Sequence, residues 1–127
     1  MICGDGNIGK NRVTIYEGKQ EMVSAYAKLI SKAIGINCTI RVVDKTKQKG
    51  SFAKKPYFEI RIYSQEFERA IRQIAPELVA KSEERDIPAP ILQCTNEVCA
   101  AFFRGLFDAE GYIHVNRVEI AGVSRIL

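Results

Sequence analysis

The stretch "FFRGLFDAEGYI", residues 102–113, closes an apolar segment with two carboxylates, Asp108 and Glu110, and a glycine, Gly111. A carboxylate at the C-terminus of a helix opposes the helix dipole, so acids placed there need a reason. Sliding the chain along itself by 105 residues supplies one. "MICGDGNIGKNRVTIYEGKQEM" (1–22) then lies without a gap on "LFDAEGYIHVNRVEIAGVSRIL" (106–127), with six identities in 22 positions. Gly6 meets Gly111, Ile8 meets Ile113, "NRV" meets "NRV" and Ile15 meets Ile120. Asp5 meets Glu110, an acid on an acid. An internal repeat of this kind marks a repeated structural unit. Each copy offers one acid immediately before a glycine.

Between the copies the periodicity alternates between helix and strand. "RVTIY" puts Val13 and Ile15 on one face and Arg12, Thr14 and Tyr16 on the other, the period of a strand after a short hairpin turn. Residues 20–34 read as a helix, with Met22, Tyr26, Leu29, Ile30 and Ala33 as its apolar stripe and Gly35 as its stop. Two strands follow. In "CTIRVVDK", Ile40 and Val42 are expected to face the core and Arg41 and Lys45 to face out. In "YFEIRIY", Phe58, Ile60 and Ile62 face in, and Tyr57, Glu59, Arg61 and Tyr63 face out. A second helix is expected over 65–79 on Phe67, Ile71, Ile74 and Leu78, then a proline-broken connection, "DIPAPILQ". Thr95 or Asn96 then caps a helix to about Ala109. The order is α-β-β-α-β-β-α followed by the start of the same unit again. It predicts an α+β fold, a twisted antiparallel sheet with helices on one side and an open polar face on the other.

Charge is concentrated on that predicted sheet. The chain of 127 residues carries +4 in total, but residues 38–63 hold seven basic side chains against Asp44 and Glu59, leaving the remainder slightly acidic. A basic patch on a near-neutral body fits a polyanion partner, and a basic sheet face fits the major groove of duplex DNA. No apolar run approaches the roughly 20 residues that span a bilayer, so no membrane partner is expected. The four cysteines form no CxxC pair and there is one histidine, His114, which disfavours zinc. The cysteines read as free thiols, His114, Cys94 and Cys99 as structural or incidental, and the expected location is the cytoplasm or an organelle.

"FRGLFDAEG" resembles the LAGLIDADG motif of homing endonucleases, and "MICGDG" resembles the second half of an earlier copy. The α-β-β-α-β-β-α unit is similar to that family's module. The resemblance implies a first module at 1–94, its motif helix shortened at Met1, and a second at 95–127 that holds only a motif helix and first hairpin. It implies a site-specific endonuclease that hydrolyses double-stranded DNA, as in intron homing. Asp5 and Glu110 are the implied catalytic acids and ligands of Mg²⁺ or another divalent cation. Asp108 takes the motif's earlier acidic position, as a helix-end group. Lys19 is the implied basic helper, although its repeat mate is Ser124, with Arg125 beside it. Gly4, Gly105 and Ala109 supply small residues for close packing of two motif helices, and Gly6 and Gly111 allow a left-handed turn and close backbone approach to DNA. The expected DNA-facing residues are Arg12, Thr14, Tyr16, Arg41, Lys45, Lys47, Lys49, Lys54, Lys55, Tyr57, Arg61 and Tyr63, with Asn116 and Arg117 of the second copy.

As an apparent fragment of a two-motif protein, the chain is expected to have reduced or no activity alone, with a second copy able to supply the missing module as a homodimer. The alternative within the same fold is a non-cleaving nucleic-acid binder, of the intron maturase or transcription-regulator type.

Overall fold

A computed structural model describes residues 6–81 and 84–120. Six strands, β1 (Gly6–Gly9), β2 (Arg12–Glu17), β3 (Thr39–Val43), β4 (Tyr57–Ile62), β5 (Gly111–His114) and β6 (Arg117–Ile120), alternate with helices α1 (Gln20–Ile34), α2 (Gln65–Ile74), α3 (Ala89–Leu92) and α4 (Asn96–Glu110). The fold is α+β. β1 to β4 form one antiparallel sheet in the order β1-β2-β4-β3, and β5 and β6 pair as a separate hairpin.

Period-two alternation sorts the main sheet into two faces. Val13 and Ile15 of β2 lie opposite Ile62 and Ile60 of β4. These four are at most 3% exposed and form the centre of the core with Val23, Ala27 and Ile30 of α1. α1 therefore docks through Val23, Ala27 and Ile30, about one position round from the stripe expected from sequence. Leu29, placed in that stripe, is 57% exposed. α1 stops where glycine requires it: Gly35 adopts φ 70° and its N–H reaches the Ser31 carbonyl at 2.9 Å.

β3 departs from expectation in a different way. Its register does put Ile40 opposite Ile60 and Val42 opposite Phe58, on the helix-bearing face. Yet Ile40 is 44% and Val42 60% exposed. β3 is an edge strand, and α1 does not extend over it far enough to cover them. The second predicted helix also ends early. Ser64 caps α2 by accepting from the Phe67 N–H at 3.1 Å, but Pro76 lacks the N–H that continuation would use. Residues Pro76–Val79 tighten into a 3₁₀ turn that buries Leu78, while Ile74 is left exposed. Within the proline-rich connection, Ala89–Leu92 form a single helical turn that the sequence reading left out.

Two long-range polar contacts fasten this frame. The two-residue turn between β1 and β2 carries Asn11 at φ 59°, a conformation asparagine tolerates better than most residues. Glu68 of α2, itself buried, accepts the Asn11 N–H at 2.7 Å and the Arg72 guanidinium at 2.6 Å. Arg85, also buried, donates to the Gly6 carbonyl at 2.7 Å and the Ala80 carbonyl at 3.2 Å. A buried guanidinium without such acceptors would be strongly destabilising.

α4 lies over the same helix-bearing face and buries Leu106, with Phe102 packed against the core. Beneath it an apolar cavity of about 330 Å³ is lined by Ile15, Ile30, Ile62, Phe67 and Phe102, with Gly105 at its wall.

Candidate nucleic-acid interface and motif-helix end

The repeat seen in the sequence has one geometry in both copies. In the first hairpin Gly6 pairs with Ile15, Ile8 with Val13 and Gly9 with Arg12. In the second, Gly111 pairs with Ile120, Ile113 with Val118 and His114 with Arg117. Every partner moves by the same offset, so the register of both hairpins is set by the same pattern of glycine, apolar residues and turn.

Motif-helix residues take several positions. Glu110 is the last residue of α4, half-buried, and Gly111 begins β5 directly. Asp5 and Gly4 lie outside the described residues. Gly111 has φ −87° and ψ 154°, ordinary extended backbone, so the left-handed turn expected there is absent. The position needs glycine for space: an added Cβ would sit 2.1 Å from the Phe107 ring. Gly105 and Ala109 are half-buried, with Gly105 facing the cavity under α4. Asp108 is exposed at the same end of the helix. Burial pushes the Tyr26 phenol of α1 up, and the Asp108 and then the Glu17 carboxylates push it further. Lys19 is the N-cap residue of α1, and its backbone N–H donates to the Glu17 carboxylate at 2.8 Å. Among the described residues no three His, Cys, Asp or Glu side chains gather into a metal site. The donors implied by the resemblance, Asp5 and Glu110, are all oxygen, the chemistry Mg²⁺ takes.

The open face of the sheet carries most of the expected contact residues. Register places Tyr16 and Arg41 on either side of Glu59, and Thr14 beside Arg61. Tyr16 and Tyr57 meet edge to face, their ring centroids 6.0 Å apart. Arg41 is exposed on the edge strand and Arg12 is half-buried. Thr14 is the exception: it is 3% exposed, a short side chain walled in by longer neighbours, so it forms the floor of this face and is not available as a contact. Arg61 is held in place. Its Nε donates to Glu59 Oε2 at 2.7 Å, a second nitrogen of the guanidinium pairs with the same carboxylate, and Nη1 donates to the Tyr63 hydroxyl at 3.1 Å. Tyr63 and then Glu59 raise the Arg61 pKa above its ordinary value, and Arg61, aided by Arg12, lowers that of the Tyr63 phenol.

Lys45, Lys47, Lys49, Lys54 and Lys55 are exposed on the loop between β3 and β4. That loop opens on Asp44, which accepts from the Thr46 N–H at 2.9 Å and the Thr46 hydroxyl at 2.6 Å; both bonds hold its carboxyl below the usual range. In the second hairpin Asn116 sits in the turn, and Arg117 pairs with Glu119, which also bonds the Tyr112 hydroxyl.

The sequence places Glu59 on this face but its pairing with Arg61 was not anticipated, and Glu119 was passed over. The signal was present: glutamate and arginine two apart on a strand project from one face and can pair. Phe52, 99% exposed between lysines, was also missed.

Among known proteins, glutamine–fructose-6-phosphate aminotransferase (isomerizing) of Methanocaldococcus jannaschii is 27% identical over 120 residues. The match takes in 94% of this chain, and the chain spans about a tenth of that protein's length. Residues 97–127 match the family model of the LAGLIDADG-like domain. That match falls on the motif helix and the hairpin that follows it, so residues 97–127 are similar to a LAGLIDADG-like domain, on an α+β fold whose first hairpin repeats the second.

Proposed function

We propose that this chain is part of a site-specific double-stranded DNA endonuclease that hydrolyses phosphodiester bonds with a divalent metal. The observation that carries the reading is the end of α4. There an acid, Glu110, is the last helical residue, and the chain passes straight into a hairpin equivalent to one that joins a basic, aromatic sheet face. Such a face fits the major groove, and the acid stands at the helix end, where the implied chemistry requires a carboxylate.

In this reading Asp5 and Glu110 would hold Mg²⁺, which when bound supplies charge stabilisation and an activated water. The rest is the work of the chain itself. α4 fixes Glu110 through the burial of Leu106. The Glu17 carboxylate anchors the backbone at Lys19, the proposed basic helper. The lysines of the loop between β3 and β4 are proposed phosphate contacts, which position the duplex without reading it. A second copy of the chain is the proposed partner for a complete two-module site.

The aminotransferase activity in the relative's name is not carried over, because the matched segment is about a tenth of that protein.

The test is a nicking assay on supercoiled plasmid carrying a library of sites, with Mg²⁺ or EDTA, comparing the chain with its Asp5→Asn and Glu110→Gln variants. Metal-dependent cutting lost in both variants is the expected result. Salt-sensitive DNA binding with no cutting, even after dimerisation, would replace the endonuclease with a non-cleaving binder of the same fold.

A further inference from the structure

The basic side chains of the open face are of two kinds. The loop lysines and Arg41 are exposed cations, suited to phosphates of any sequence. Arg61 is different. Its side chain is only 15% exposed, and it stands on β4, inside the sheet, with β2 and β3 on either side. Its partner Glu59 is 12% exposed and is the acid at the middle of that face, directly opposite Tyr16 on one side and Arg41 on the other.

A lone carboxylate in the middle of a DNA-facing surface repels phosphate, so a face built for affinity alone would omit it. What Glu59 and Tyr63 accomplish together is orientation. A guanidinium has five N–H groups. Glu59 takes the one on Nε and forms an ion pair with Nη2, and Tyr63 takes one from Nη1. At least one remains on each terminal nitrogen. Two donors on neighbouring nitrogens suit the guanine edge, whose O6 and N7 are both acceptors in the major groove. The carboxylate also cancels the charge of Arg61, so the pair adds little to non-specific attraction while keeping a directional donor in place. Holding the side chain in advance removes the entropy that a free arginine would lose on binding.

We propose that Arg61 is a base-reading residue for guanine, and that Glu59 is the positioning residue that holds it in that role and keeps it from serving as a phosphate contact. The inference rests on the DNA-binding reading and names one specificity determinant within it.

The experiment is selection of bound sequences from a pool of randomised duplexes, with wild type, Glu59→Gln and Arg61→Lys, alongside the salt dependence of binding to unselected duplex. Both substitutions preserve size, and thermal melts establish that the variants are folded. Wild type is expected to enrich guanine at one position. Arg61→Lys keeps the charge and is expected to lower that enrichment about tenfold. Glu59→Gln is expected to flatten the same position while strengthening binding to unselected duplex and steepening the log–log salt slope by about one, because a freed arginine can now reach a phosphate. A loss of fold or stability alone would not produce that pair of opposite changes. If wild type binds duplex but neither variant alters the preference at any single position, the inference is overturned. If wild type binds no duplex at all, the nucleic-acid reading itself fails, which is a separate and recognisable result.

Discussion

The Glu68 carboxylate and the Asn11 backbone N–H meet at 2.7 Å across 57 residues of sequence. The contact joins α2 to the tip of the first hairpin, and so sets where β1 and the glycine that opens it lie relative to the core. Arg72, four residues along the same helix, completes the pair.

Arg72 and then the Asn11 N–H hold Glu68 below the usual carboxylate range. A lowered folded-state pKa stabilises above the unfolded value and is lost as pH falls through the folded one. Wild type is therefore expected to be more stable than Glu68→Gln at neutral pH, and the gap is expected to close as pH drops below the ordinary glutamate range. Urea denaturation of both proteins across acidic pH checks this; a pH-independent gap would contradict it.

Gly111→Ala puts a methyl group into the Phe107 ring. Overpacking of this kind costs about 1–3 kcal/mol. The backbone there is extended, so the cost comes from the ring and not from strain. Phe107→Ala combined with Gly111→Ala is then expected to be less destabilised than the sum of the single changes, and a double-mutant cycle by chemical denaturation measures the coupling.

Ile60 and Ile40 pair across β3 and β4, but Ile60 is fully buried and Ile40 is not. Ile60→Ala is expected to cost about 2–5 kcal/mol. Val42→Ala on the exposed edge is expected to stay within about 0.5 kcal/mol. Equal losses in equilibrium unfolding would mean that β3 is covered in solution.

Changing Lys47, Lys49, Lys54 and Lys55 to Gln is expected to weaken binding to all duplexes alike and to lower the salt slope by about 0.9 for each phosphate contact removed. Fluorescence anisotropy at several salt concentrations reads both quantities. Loss confined to one sequence would move the loop from phosphate contact to base reading.

The sequence by itself determined the elements and their faces. Period-two alternation fixed which side of β2 and β4 is apolar, the glycine at position 35 fixed the end of α1, and the offset between the copies fixed the shared hairpin register. Each is a local property, set by backbone geometry and side-chain periodicity within a few residues. Only the tertiary structure decided which apolar residues are covered and which charges are paired. Ile40 and Ile60 look alike in sequence and share a face, but α1 does not reach far enough over the edge strand β3 to cover Ile40. Thr14 and Tyr16 look alike as outward positions, but the shorter side chain is buried by its neighbours. Arg61 and Arg41 look alike as cations, but Glu59 and Tyr63 hold the first and leave the second exposed. Burial and pairing depend on what lies across the sheet, tens of residues away in the chain, and no local pattern contains that distance.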